Sequence, residues 1–328
     1  MRRLRSVGIV VVAGMLLAAC NATTPSTGPT AVTGATTAPA SVPSVAATSS
    51  SAPTLPPSVA ETLPPPPEET LTETFPRGAF SDPTTIDNLW LPFKPGTRWI
   101  WEGEATIDGF RHARRVELQI TDLSKVVDGV QALVAYELDL TDGVLNEAEL
   151  IFLAQDDEGN IWHLGQYPEE YEDGQFVEAP IWIAGFDDAS AGIWMLGEPR
   201  HSAVSYAQGY APSVGWADRA RVFETGSVTC VPAGCYEDVL VIDEFSRDEP
   251  DAHQLKYYAP GVGGVRVGWA GAREEEREEL ELVSVETLGP DAKAAIRAAV
   301  LAQDARGRDI SPDIYGRLPP IEPLPATD

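Results

Sequence analysis

Short runs of alternating side chains recur between Trp99 and Val285, each closed by a turn, and this spacing constrains the fold more than any other feature of the chain. Val116, Leu118 and Ile120 alternate with Glu117, Gln119 and Thr121, the period of a strand with one buried face. Asp128-Gly129 then reverses the chain. Val134, Tyr136, Leu138 and Leu140 alternate with Ala135, Glu137 and Asp139 before Asp142-Gly143 reverses it again. Residues 149–155 and 161–165 flank the loop Asp156-Asp157-Glu158-Gly159-Asn160, and strands are expected again over 220–229, 237–244, 254–258, 262–269 and 279–285. The stretch 167–210, rich in Gly, Pro and aromatics, reads as a long excursion across the sheet. The fold class is mainly β: an antiparallel meander, apolar on one face, forming a half-barrel or sandwich with one C-terminal helix. Pro290-Asp291 starts that helix, Ile296, Ala299, Val300 and Gln303 mark one face, and Gly307 stops it. An amphipathic segment of this kind is a surface helix on the sheet edge, or else a lid over a sheet concavity. The Pro-rich tail after Ile310 is expected to be loose.

What precedes the meander is of a different kind. Met1–Ser6 is cationic and residues 7–19 are apolar, too short for the roughly 20 residues that span a bilayer. The run ends Leu17-Ala18-Ala19-Cys20. A basic start, an apolar stretch and small residues before a cysteine resemble the bacterial lipobox, which implies that Cys20 becomes the new N-terminus and carries diacylglycerol. More than one acyl chain, at ~0.8 kcal/mol per buried methylene, gives stable anchoring. No charged residue lies between Arg5 and Glu61, and residues 21–74 are mostly Thr, Ser, Pro and Ala. Such a segment buries too little apolar surface to offset its chain entropy. Stretches such as Pro64-Pro65-Pro66-Pro67 favour polyproline II at ~3.1 Å per residue, so the tether reaches roughly 150 Å at full extension. A Thr/Pro-rich tether is also a candidate for O-glycosylation. The organisation expected is a leader over 1–19, the lipidated Cys20 and its tether over 20–75, a β-rich domain over 76–289, a helix over 290–308 and a Pro-rich tail over 309–328. The location expected is the outer face of the cell membrane, with the membrane as a partner through the lipid.

Once Arg2, Arg3 and Arg5 leave with the leader, 20 Lys and Arg stand against 50 Asp and Glu, a net charge of −30. Such a surface repels nucleic acid and anionic head groups, and it keeps an exported protein soluble. Cys230 and Cys235 lie close in sequence, and in an oxidising compartment two such thiols pair. A zinc site would need a further Cys or His pair, and His253 stands alone downstream. His112, His163, His201 and His253 have no zincin spacing, no G-x-S-x-G elbow occurs, and no glycine-rich phosphate loop precedes a helix. Asp156, Asp157, Glu158 and Asn160, or Asp187 and Asp188, are oxygen donors of the kind calcium takes, but the first set lacks EF-hand spacing and reads as a solvated turn. No catalytic residue, metal site or cofactor is assigned.

The eight tryptophans are the more informative chemistry. Large aromatics dominate burial wherever they occur, so each one is first a core residue. If several face one side of a curved sheet they line an apolar groove, and Trp99, Trp101, Trp162, Trp182 and Trp194 are the candidates.

Two segments carry a resemblance. Ala154-Gln155-Asp156-Asp157-Glu158-Gly159-Asn160-Ile161-Trp162-His163-Leu164-Gly165 resembles a "YAQD–GNVWYFGE" segment, and Lys256-Tyr257-Tyr258-Ala259-Pro260-Gly261-Val262-Gly263-Gly264-Val265 resembles "KYYAPGVGLV". Both recur in that order in a group of uncharacterised secreted or lipid-anchored bacterial proteins. The likeness spans roughly Asp87 to Val285 and departs at His163, where an aromatic is usual, and at Gly264, where an aliphatic is. The second element is also similar to strand-turn-strand pieces of the periplasmic lipoprotein carriers of the LolA-like half-barrel type. The resemblance implies a β-sheet and carries no activity, and turn chemistry alone accounts for the residues of both segments.

The reading is a lipid-anchored extracytoplasmic protein that binds an apolar or amphipathic ligand, or a cell-envelope partner, without doing chemistry. A secreted hydrolase of envelope glycans, recognised by a close carboxylate pair in a cleft, is one alternative. A structural envelope protein without a small-molecule site is the other.

Overall fold

A computed structural model describes residues 70–202 and 204–325, together with the backbone of a two-residue ladder joining Ser6–Val7 to Ile9–Val10. Cys20 and most of the tether lie outside the described residues, as does most of the apolar leader.

Four Asp-Gly pairs set the first half of the fold. Asp108-Gly109, Asp128-Gly129, Asp142-Gly143 and Asp173-Gly174 all have positive φ at both residues. That is the twist of a type I′ turn, which matches the right-handed twist of the strands it joins. The first three link β1 (Thr97–Ile107), β2 (Phe110–Val127), β3 (Val130–Thr141) and β4 (Val144–Gln155), each through a two-residue loop that fixes register. The loop at Asp156–Asn160 leads into β5 (Ile161–Glu172), and the fourth Asp-Gly pair turns it onto β6 (Gln175–Phe176). Then come β7 (Trp182–Ile183), β8 (Ser190–Met195), β9 (Tyr206–Ala207) and β10 (Gly209–Tyr210). A second meander contains β11 (Asp218–Val231), β12 (Gly234–Ser246), β13 (His253–Ala259), β14 (Gly263–Ala270) and β15 (Glu279–Thr287). β15 pairs with β1, so the two meanders make one antiparallel sheet.

That sheet curls into a nearly closed barrel. Its order runs β9-β11-β12-β13-β14-β15-β1-β2-β3-β4-β5-β8-β10, and the two end strands are separated in sequence by Gln208 alone. One short segment therefore pairs with β11 through Tyr206 and Ala207 and with β8 through Gly209 and Tyr210. This seam is the destination of the excursion expected over 167–210. It requires the backbones to touch: a Cβ on Gly192 would lie 2.1 Å from the Gly209 nitrogen and 2.2 Å from the Gln208 carbonyl carbon.

Both faces of β2–β5 are buried. Inward, Val116, Leu118, Ile120, Leu133, Ala135 and Ile151 join the barrel core. Outward, Val134, Tyr136, Leu150, Phe152 and Leu164 pack under a second layer. The helix α1 (Pro290–Ile310) supplies part of that layer, with Pro290 at its first turn and Asp291 and Arg308 matching the dipole at its two ends. It lies on the outer sheet face, neither at an edge nor over the concavity. Gln303 donates to the carbonyls of Ala148 and Tyr167, and buried Lys125 pairs with Asp304 at 2.6 Å. Gly307 does not stop the helix. It sits inside, where a Cβ would meet the Tyr167 ring at 2.5 Å and the Tyr315 ring at 2.8 Å. The tail is packed rather than loose: Tyr315, Leu318 and Ile321 are buried, and β16 (Glu322–Pro323) pairs with β2. At the other end the body begins before residue 76, since Arg219 donates to the Thr70 carbonyl and Glu73 accepts from Ala207 N.

Cys230 and Cys235 face each other across the β11–β12 hairpin and form a disulfide with a Cα–Cα separation of 4.0 Å. It clips a hairpin end and closes a short loop, so its removal is expected to cost no more than about 2 kcal/mol.

The seam gives the first testable outcome. Gly192→Ala forces the sheet edges apart and is expected to lower the unfolding free energy in urea by about 1–3 kcal/mol or more. Gly78→Ala, where a Cβ meets nothing within 4 Å, is the control and is expected to stay within about 0.5 kcal/mol of the parent. Equal effects from the two would contradict closure at 206–210.

Candidate functional site

The inward face of β1 presents Trp99 and Trp101, and their indole nitrogens donate to the carbonyls of Val262 at 2.8 Å and Gly264 at 3.0 Å. The turn Pro260–Gly264 is thus anchored by two tryptophans. Gly263, at φ +108°, holds a conformation other residues rarely adopt, and a Cβ there would lie 3.2 Å from the Trp99 indole nitrogen. Phe93, from the segment ahead of β1, packs edge-on against Trp99 with centroids 5.7 Å apart. Trp194 of β8 closes the opposite wall.

Between these rings lies a partly open cavity of about 50 Å³, smaller than the several hundred Å³ of drug-sized sites and so with room for one end of a ligand. Its walls are aromatic and aliphatic, with Leu91, Leu118, Tyr258 and Val267 among them. Glu137 and Lys256 are the buried charged residues that line it. Arg266, also on the wall, holds its guanidinium over the Tyr257 ring, 5.8 Å from its centroid.

Of the five tryptophans singled out from the sequence, Trp99, Trp101 and Trp194 line this cavity. Trp162 points to the outer layer, where it meets Phe75 and donates to Asp156 Oδ2 at 2.7 Å. Trp182 belongs to a small cluster with Trp216, Ala189 and Ala211. His163 lies between these groups, with ring centroids 4.7 Å from Trp182, 4.9 Å from Trp194 and 5.9 Å from Trp216. Burial pushes its pKa down to about 3, so it is a neutral ring packed in an aromatic's place. Its nitrogens face the backbone of Gln208 and Gly165 without closing a hydrogen bond.

Asp156 is a loop clamp. It accepts from the backbone nitrogens of Glu158 and Asn160 and from the side chains of Asn160 and Trp162. Gln155 accepts from the backbone of Asp87 and Asn88, and Asn160 from Gly197 N. The 154–165 segment thereby ties the N-terminal strap and the β8 region to the sheet. Among the described residues no three His, Cys, Asp or Glu side chains converge as a metal site.

Beyond Glu137 the barrel interior becomes acidic. Cross-strand register sets Glu137 opposite Glu149, Asp139 opposite Glu147, and Glu147 opposite Glu170. Like charges directly opposite one another repel, and burial away from water penalises each anion further. Desolvation first and neighbouring carboxylates second hold Glu137 and Glu147 well above the ordinary carboxylate range. The same causes raise Glu149 to about 8 and Glu170 to about 7. Asp139 is raised by burial to about 8, although Arg114 pulls it down. Glu278 is raised by burial against the pull of Arg114 and Lys256. Two cations stand among these acids: Arg114 pairs with Asp139 and lies 3.5 Å from Glu278, and Lys256 pairs with Glu244 at 2.9 Å.

No protein-family model matches the chain, and no curated protein matches it. Among solved structures, one from Bacteroides fragilis, described as an exported protein with a YmcC-like fold, is 14% identical with a TM-score of 0.33. One from Parabacteroides distasonis, described as a lipoprotein, is 13% identical with the same TM-score. Each overlap covers 61% of this chain and 99% of the other. At that identity and score neither transfers a function.

The buried acids set the pH dependence of folding. Glu149, Asp139 and Glu170 keep in the folded chain a proton that the unfolded chain releases near 4. Their stabilising contribution is complete below the unfolded pKa and is lost as pH rises through the folded values of about 7 to 8. The urea midpoint is therefore expected to fall steadily from pH ~5 to ~8, and Glu149→Gln is expected to flatten that slope. A midpoint that is constant or rises over this interval would contradict the buried cluster.

Proposed function

We propose that this protein is a lipid-anchored, extracytoplasmic binder of an amphipathic small molecule. The observation that carries the reading is the cavity between Trp99, Trp101 and Trp194, apolar along its walls and ended by the ionisable pair Glu137 and Lys256. Apolar walls take up an aliphatic or aromatic body by removing it from water, at roughly 25 cal/mol per Å². A few polar groups at one end fix orientation. An amphipathic molecule matches both parts.

The anchor rests on the sequence around Cys20, and the long tether, free of charge up to Glu61, carries the binding body away from the bilayer. The hydrolase alternative needs two carboxyl groups flanking an open cleft. Glu137 is the single carboxylate on the cavity wall, and its partner Glu149 is buried behind it, so the site favours binding.

Titration with decanol, followed by tryptophan fluorescence, tests the pocket. The expected result is saturable binding that weakens about tenfold in Trp101→Ala and in Trp194→Ala, the effect of losing one large anchor. Trp162→Ala, on the outer face, is expected to leave the affinity unchanged. Absence of saturable binding, or equal loss in all three variants, would contradict the assignment. Cys20→Ser tests the anchor: the protein is expected to move from the membrane fraction to the soluble fraction, and retention in the membrane would contradict lipidation at that residue.

A further inference from the structure

We propose that the polar end of this ligand is a carboxylate, held between the Lys256 ammonium and the Glu137 carboxyl at the polar end of the cavity. This inference rests on the pocket reading above and adds the chemical class of the head group.

The cavity wall reverses the charge of the chain. Acids outnumber bases 50 to 23 over the whole sequence, yet the charged residues on this wall are Lys256, Arg266 and one acid, Glu137. That acid holds a proton: burial first, then the neighbouring Glu149 and Asp139, keep it well above the ordinary carboxylate range. A protonated carboxyl is a hydrogen-bond donor rather than a second anion. Among the described residues it has no hydrogen-bond partner. Lys256 is buried and brings three N–H donors. Its ammonium lies 2.9 Å from Glu244 Oε2, but that oxygen closes no hydrogen bond. Arg266 holds its guanidinium over the Tyr257 ring and pairs with no acid among the described residues.

What these two lining groups lack is an acceptor, and buried donors left unmatched are costly. A carboxylate supplies two oxygens. One accepts from the Lys256 ammonium and the other from the Glu137 O–H, both as charge-assisted hydrogen bonds in a site removed from water, where such bonds are strongest. The ligand binds as its anion and Glu137 keeps its proton, so no proton is gained or lost at this step. An alcohol offers one oxygen and no charge. An ammonium adds donors where donors already stand, and a further cation beside Lys256 and Arg266. A cavity of about 50 Å³ suits a small head of this kind, with the alkyl chain against Trp99, Trp101 and Trp194. The charged and titratable groups acting on Glu137 are Glu149, Asp139 and Glu278, which raise it, and Lys256, which lowers it. Once Glu137 releases its proton the donor is gone and a second anion faces the ligand, so carboxylate binding weakens as pH rises.

The test compares three probes sharing one chain length, decanoate, decanol and decylammonium, titrated into the purified protein by calorimetry. At pH ~6 decanoate is expected to bind about tenfold more tightly than decanol, and decylammonium more weakly than either. Lys256→Met is expected to bring decanoate down to the affinity of decanol while leaving decanol unchanged. From pH ~6 to ~9 the affinity for decanoate is expected to fall about tenfold and that for decanol to stay constant. Glu137→Gln, whose amide donates at every pH, is expected to keep the decanoate preference and to remove its pH dependence. This variant leaves the ion pair of Lys256 and Glu244 in place, so it decides the matter if Lys256→Met does not fold. Equal binding of decanoate and decanol, a preference that survives Lys256→Met, or the same pH profile in wild type and Glu137→Gln would overturn the carboxylate assignment and leave the pocket standing. Tighter binding of decylammonium would overturn it in favour of a cationic head. Failure of all three probes to bind would overturn the pocket itself, and the carboxylate with it.

Discussion

The structure depends on closure of the sheet at a seam one short segment wide. Tyr206 to Tyr210 hydrogen-bonds to β11 on one side and to β8 on the other, and the backbones approach so closely that only glycine fits at residue 192. Closing a sheet on itself removes its edges and separates an inside from an outside. Everything unusual about the interior follows from that separation. Glu137, Asp139, Glu147 and Glu149 would be ordinary solvated acids on an open sheet. Inside a closed one they lose water, face one another across strands, and hold protons well above the normal range.

The strand pattern was legible because its period is local. The alternation at 116–121 and the Asp-Gly turns at 128–129 and 142–143 needed no tertiary information, and the antiparallel, mainly β architecture with one helix follows from them. Which face pointed where was not legible in the same way. Alternation in β3 suggests that Val134 and Tyr136 face the core and that Glu137 and Asp139 face water. In fact both sets are buried, the first under the outer layer with α1 and the second inside the barrel. Period two distinguishes two faces but does not say which is the interior when a second layer covers the other. The same ambiguity dispersed the five tryptophans. Trp99, Trp101 and Trp194 share the cavity, whereas Trp162 and Trp182 fall on other surfaces of the fold. Gly307 was misleading for a related reason: a glycine near a helix end reads as a stop, yet here it gives two tyrosine rings room to press on the helix.

The acidic chamber left one trace in the sequence. Glu137 and Asp139 lie in phase with Ala135, and Glu147 and Glu149 lie in phase with Ile151, so carboxylates continue an apolar row on two adjacent strands. A row that changes from aliphatic to acidic along one face marks a barrel interior with two ends of opposite character. The motif segments now have physical roles. Asp156 and Asn160 clamp the loop before β5, and the glycines at 263 and 264 let the backbone meet the two tryptophans that wall the cavity. Both segments fix local backbone geometry, the second of them at the cavity wall.

Native mass spectrometry of the purified protein, before and after denaturation, tests the central claim most directly. The account expects a small-molecule adduct on the folded wild type that leaves on denaturation and is lost when Trp101 and Trp194 are both replaced by alanine. A bare mass for the folded wild type, or an adduct that persists undiminished in the double variant, would contradict the claim that the tryptophan-walled cavity is a binding site.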